Sequence, residues 1–229
     1  MTDPLEENYS RLSNEIRQAA VSAGRDPQSV RLLAVSKKVP AERLRVLWGL
    51  GHRLFGENRV QEARMKIPEM PTGGEWHFIG GLQTNKAKDA VEWFDVIESV
   101  DRLELAKELQ KRAEAAGKNL KVLLEINVGG EAAKHGAKPE EATTLFQAVN
   151  EMSRLEVRGL MAIPPFREKP EEARPYFRKL REIRDQLEQS SGAALPELSM
   201  GMSHDFAVAI AEGATLVRIG TALFGPRSG

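Results

Sequence analysis

Short apolar runs separated by amphipathic stretches recur along the whole chain, and this alternation constrains the fold more than any other feature. The runs lie at residues 30–37, 53–56, 76–80, 96–100, 121–128, 157–163, 198–202 and 216–219. Between them stand helical patterns such as 103–116, which ends before Gly117, and 172–189, whose outer face is charged. Strand then helix, repeated, implies parallel strands joined by right-handed crossovers. About eight such units close a (β/α)8 barrel, and a chain of 229 residues holds one such domain without room for a second of ordinary size. The expected fold is therefore α/β: a (β/α)8 TIM barrel, a single domain over residues 1–229, with an extra N-terminal helix. Asp3, Pro4 and Glu6 fit the N-cap, N1 and N3 positions of a capping box, with Leu5, Tyr9, Leu12 and Ile16 as the apolar face and an end near Gly24. An open doubly wound sheet gives the same alternation, but it favours a glycine-rich loop after the first strand, and here that loop reads SKKVP.

Thirty-three basic residues balance 33 acidic ones, so no global field draws the chain to nucleic acid or to a membrane surface. The absence of cysteine excludes a thiol nucleophile, a disulfide framework and a Cys-bearing zinc site, and suits a reducing compartment. His52, His77, His135 and His204 are too scattered for a local metal motif. The N-terminus MTDPLEENYS is acidic, and no apolar run approaches the ~20 residues that span a bilayer. A cytoplasmic protein is expected, with no nucleic-acid or membrane partner. The apolar residues all find places in the barrel or its helices, which favours a monomer. Trp48, Trp76 and Trp93 are not interleaved with a basic cluster and read as packing residues rather than a base-stacking platform.

The segment LSMGMSHDFAVAIAEGATLVRIGTALFG carries two successive strand ends that look built for an anion. Ser203 stands where a helix N-cap would, with His204 at N1, ahead of Asp205 and the apolar run Phe206, Val208, Ala209 and Ile210. Gly220 and Thr221 follow the last strand with backbone N–H groups, a hydroxyl and no bulk to exclude an oxyanion. In (β/α)8 barrels the loops after strands seven and eight are the usual phosphate cradle; two ordinary βα turns are the plainer alternative. In AVSKKVP, strand alternation sends Lys37 to one face with Leu33 and Val35, and Lys38 to the other with Ala34 and Ser36. A lysine inside the mouth of a barrel is poorly solvated, so its pKa should fall below the free value of about 10.4, as a Schiff-base amine requires. Solvated strand-end lysines are the alternative.

AVSKKVP, LFGENRVQEA, WHFIGGLQTNK, EINVGGEAAKHG, RGLMAIP, LSMGMSHD and ATLVRIGTALFG, in this order from residue 34 to 225, resemble the pyridoxal phosphate homeostasis protein family. These are single-domain, alanine-racemase-like barrels that carry pyridoxal 5'-phosphate (PLP). The resemblance implies a covalent imine on Lys37, phosphate ligands at Ser203, Gly220 and Thr221, and backbone N–H groups around Met202 and Ser203. It puts Arg218 beside the pyridine nitrogen, Asn58 near the cofactor ring and His77 on a strand end close by. Three positions depart from the family pattern. Lys38 follows the Schiff-base lysine where a small polar residue is frequent, His135 replaces a serine between Lys134 and Gly136, and Gly81 replaces a proline, which should loosen that loop without touching the site. The loop carrying Lys134 and His135 reads either as solvated or as a mobile element that admits PLP.

An arginine at the pyridine nitrogen leaves it unprotonated and makes a weak electron sink. Racemisation further needs an acid or base on each face of the substrate α-carbon, and Lys37 serves one. By the resemblance, racemases of this fold draw the other from an added β-domain. The expectation is a non-catalytic carrier in PLP homeostasis, with apo PLP-dependent enzymes as possible recipients. A low-activity amino-acid racemase and a cofactor-free Schiff-base aldolase are the alternatives. His77 is expected as a hydrogen-bonded barrel histidine that positions PLP rather than a catalyst.

Overall fold

The computed structural model describes residues 3–131 and 135–226. Among them eight parallel strands close a barrel in chain order, β8 pairing back onto β1. These are β1 (Arg31–Val35), β2 (Leu54–Glu57), β3 (Glu75–Phe78), β4 (Val96–Val100), β5 (Leu120–Glu125), β6 (Leu155–Met161), β7 (Glu197–Met202) and β8 (Leu216–Ile219). The helices α2 (Ala41–Gly49), α3 (Val60–Lys66), α4 (Ala87–Trp93), α5 (Leu103–Ala115), α6 (Ala142–Asn150), α7 (Arg174–Ser191), α8 (Phe206–Ala211) and α9 (Thr221–Phe224) follow β1 to β8 in turn. α1 (Pro4–Ser22) precedes them all.

The strands read as nearly continuous apolar runs because a parallel barrel covers both of their faces. Inside, Leu33, Val35, Leu54 and Leu216 with Ile79 form one plug, and Val96, Leu123 and Met161 a second. Gly56 makes room for the first: a Cβ there would stand 2.2 Å from Leu33 Cδ2. Outside, Phe55, Phe78, Phe94, Phe146 and Phe177 are buried between strands and helices, each contributing about 1.5–3 kcal/mol. Trp48 and Trp76 stack against Phe55 with ring centroids 6.4 and 4.9 Å away, and Trp93 packs on the same core.

Asp3 caps α1, its Oδ1 accepting the Leu5 N–H at 2.9 Å, while the Glu6 N–H goes to the Asp3 carbonyl. Leu5, Leu12, Ile16 and Ala20 are buried, and Tyr9 meets His52 edge-on at 5.4 Å. α1 lies against α2, α8 and α9. Since α8 and α9 have six and four residues, α1 completes the outer layer where the last strand meets the first. No helix among the described residues is long and apolar enough to cross a membrane.

Candidate functional site

The C-terminal ends of the strands open onto a cleft of about 450 Å³. Lys37, Asn58, Met202, Ser203, Arg218, Gly220 and Thr221 all line it; His77 does not. A groove of about 460 Å³ lies at the opposite end of the barrel, beside α1. There Arg31 is paired with Glu75 and Glu197, and Arg53 lies on the Trp48 ring.

β1 stops at Val35, two residues short of the expected end, and Ser36 to Val39 form a turn closed by the Val39 N–H on the Ser36 carbonyl at 2.9 Å. The turn, not strand alternation, separates the lysines. Lys37 is half-buried in the cleft, whereas Lys38 is exposed and left-handed at φ 59°, a conformation that costs a lysine roughly 1 kcal/mol. An ion cluster offsets that strain. The Lys66 ammonium donates to the Ser36 carbonyl (2.7 Å), Glu57 Oε1 (2.7 Å) and Glu62 Oε2 (3.1 Å), while the Lys38 N–H donates to Glu62 Oε2 at 2.7 Å. Ser36 Oγ donates to Glu57 Oε1 at 2.7 Å. Burial pushes the Glu57 carboxyl up, against the pull of Lys66.

The anion end departs from expectation in detail. α8 starts at Phe206 with Asp205 in the N-cap position, so Ser203 and His204 belong to the preceding turn. The Asp205 side chain accepts the Met202 N–H at 2.7 Å, which closes this turn and commits a donor that had been assigned to a phosphate. His204 is exposed on the rim of the cleft, its Nε2 2.9 Å from the Glu168 carbonyl. The first turn of α9 comes alongside, with the Ala222 N–H 3.4 Å from Ser203 Oγ. Ser203, Gly220 and Thr221 thus share one corner of the cleft.

Arg218 rises from β8 at 4% exposure. Its Nη1 donates to the Ser199 carbonyl and hydroxyl, both at 2.7 Å, and its Nη2 to the Ala162 carbonyl at 2.8 Å. Glu98 Oε2 lies 3.9 Å away, so the guanidinium is held from beneath while it lines the cleft. His77 sits deeper on the same polar layer, Nδ1 2.6 Å from Glu98 Oε1 and Nε2 2.8 Å from Glu75 Oε1. Against the penalty of burial, the two carboxylates push it up to about 9, so both nitrogens donate. With both occupied it supports the barrel interior and, through Glu98, the base of Arg218.

Glu125 and Gly81 are among the cleft residues that escaped the sequence reading. Glu125, inside the apolar run of β5, reaches the cleft at 5% exposure; burial first and then Asp101 push its carboxyl up to about 7, against the pull of Arg218. Gly81 lines the cleft too, contrary to expectation, and a Cβ there would stand 2.7 Å from His135 Nε2. The two departures from the family pattern are therefore one contact: the exposed His135 ring lies over Gly81, and a side chain at 81 would push it aside. Lys134 falls outside the described residues.

The family model of the alanine racemase N-terminal domain matches residues 5–228. A pyridoxal phosphate homeostasis protein of Aquifex aeolicus is 51% identical over 222 residues, 96% of this chain and 97% of its own. The chain belongs to the pyridoxal phosphate homeostasis protein family. The member from Pseudomonas aeruginosa is 45% identical over 97% of this chain and 96% of its own. Among solved structures, PipY of Synechococcus elongatus without PLP superposes with a TM-score of 0.83 at 39% identity, covering 92% of this chain and 100% of its own. With PLP bound it gives 0.80 over 91% of this chain and 98% of its own. An alanine racemase of Clostridium difficile shares the fold, with a TM-score of 0.75 at 16% identity over 98% of this chain but 56% of its own. The donor set in the cleft suits PLP: an amine at Lys37, hydroxyl and backbone groups at Ser203, Gly220 and Thr221, and a buried cation at Arg218.

Proposed function

We propose that this chain holds PLP as a Schiff base on Lys37 and takes part in storing and supplying it in the cytoplasm, as a monomer and without substantial turnover. The observation that carries the reading is that Lys37, the corner of Ser203, Gly220 and Thr221, and the Arg218 guanidinium open on one cleft. PLP, when bound, supplies an aldehyde carbon, a ring nitrogen and a phosphate, one for each. Lys37 provides the amine, Ser203 and Thr221 orient the phosphate, Arg218 meets the ring nitrogen and Asn58 flanks the ring. His77 acts at one remove, by fixing Glu98. The names of close relatives and the PLP-bound form of PipY support PLP as the ligand. Apo PLP-dependent enzymes are the proposed recipients.

A cofactor-free aldolase would use the lysine and the anion corner but leaves the cleft face of Arg218 without a role. One observation favours the racemase reading: Glu125 lines the cleft from the strand opposite Lys37 and titrates near neutrality. Arg218 weighs against it, since an unprotonated ring nitrogen withdraws electrons poorly.

Titration with PLP should produce a visible imine band that Lys37→Ala abolishes and Lys38→Ala keeps. Pyridoxal without its phosphate should bind roughly 100-fold more weakly or worse, from the loss of two or more charge-assisted hydrogen bonds. A band retained in Lys37→Ala, or equal affinity for pyridoxal and PLP, overturns the assignment.

A further inference from the structure

In a closed ring of eight, β5 stands opposite β1, so Glu125 lines the cleft from the side across from Lys37. Its side chain is almost wholly buried, yet among the described residues no hydrogen bond or ion pair holds its carboxylate. Its carboxylate oxygens open on the cleft instead of on a protein donor, which leaves them for water or a ligand to satisfy. The charges around it sharpen that need. Asp101 from the end of β4 and Glu98 within β4 add like charge, and the opposing cation, Arg218, has its Nη donors turned to Ser199 and Ala162. On the rim, His135 has its Nδ1 4.0 Å from Asp101 Oδ2. Asp101 is itself paired with Arg102, Nη1 to Oδ1 at 2.5 Å, and stands off the cleft, so what faces Lys37 from this side is the Glu125 carboxylate, with no protein donor on it among the described residues.

The geometry points to Glu125 as the residue that recognises the ammonium group of an incoming primary amine, its own negative charge turning away amines that carry an α-carboxylate. The inference rests on the PLP reading above and names the acceptor: a primary alkylamine, from a lysine side chain or a small diffusible amine, rather than a free amino acid. A carboxylate here also does chemical work. An ammonium ion has no lone pair for attack, so Glu125 takes one proton and becomes the carboxylic acid. The freed amine forms the new C–N bond to the cofactor carbon as the bond to Lys37 Nζ breaks, and the amine's two remaining protons end on Lys37. A carboxyl that titrates near neutrality can accept that proton and return it to water.

The test compares n-butylamine with L-norvaline, the same skeleton bearing an α-carboxylate. Rates of imine exchange on the PLP-loaded protein are followed by absorbance, each divided by that amine's rate with free PLP. The wild-type protein should favour butylamine at least ten-fold, and Glu125→Gln should bring the ratio within about three-fold of unity. As a readout apart from exchange, carboxyl-carbon NMR of glutamate-labelled apo-protein should show the Glu125 resonance moving with added butylammonium and not with norvaline. A ratio near unity in the wild type, or one unchanged in Glu125→Gln, overturns the inference. So does a Glu125→Gln variant whose imine spectrum shifts while its selectivity stays, since Glu125 would then serve the cofactor. Absence of any imine in the wild type would instead remove the PLP reading beneath it. A lysine blocked at its α-amine and carboxyl that exchanges as fast as butylamine assigns protein lysines as the source; a ten-fold slower rate assigns small amines.

Discussion

His77 is the residue whose environment differs most from its role by resemblance, and it carries a pH signature of its own. Its folded pKa, raised to about 9 from an ordinary 6.5, lies above the unfolded value. The stabilisation is thus fully present below about pH 6.5 and lost as pH rises through about 9, on the order of 3 kcal/mol in all. His52 is shifted the other way: burial holds it down to about 4, so its contribution is lost as pH falls below about 6.5. Thermal unfolding of the apo-protein should therefore become easier as pH rises from 6.5 to 9, and His77→Gln should flatten that alkaline slope. An unchanged slope would mean that His77 is neutral in the fold. Chain order could show that WHFIG ends a strand, but not that Glu98 and Glu75 take both ring nitrogens. Glu125 was hidden for a related reason: in LLEIN it reads as one more strand residue, and its exposure to the cleft follows only from closure of the ring.

Between elements, the turns decided more than the strands. β4 and β8 fall on their expected bounds because apolar runs flanked by polar residues mark buried strands. Ser203 is not the helix cap because the helix starts two residues later: Asp205 holds the N-cap position, and its side chain closes the preceding turn on the Met202 N–H. Likewise, Lys37 and Lys38 were correctly separated on the wrong ground: β1 has already ended, and a left-handed residue held by Glu62 turns the second lysine away. Lys66 ties this turn to β2 and α3. Lys66→Met should leave Glu57 and Glu62 without their cation, destabilising the protein by about 3–5 kcal/mol, and weaken PLP binding through the loosened turn. The checks are denaturant unfolding and PLP titration; a loss under 1 kcal/mol would show that the cluster does not hold the turn.

At the scale of the whole molecule, the barrel was legible from its periodicity, and closure in chain order removed the open-sheet alternative. The position of the cleft followed, since barrel chemistry gathers at the C-terminal strand ends. The carrier reading predicts that the PLP-loaded protein turns over common amino acids far more slowly than roughly 1 per second, with α-proton exchange in heavy water as the most sensitive assay. Exchange at ordinary enzyme rates, abolished in Glu125→Gln, would promote the racemase reading. The central claim is narrower, that one lysine of this chain is the covalent attachment point of PLP, and it is tested by borohydride reduction of the loaded protein followed by peptide mass spectrometry. The account predicts a single pyridoxyl adduct, on Lys37; an adduct on Lys38 or another lysine, or none at all, would contradict it.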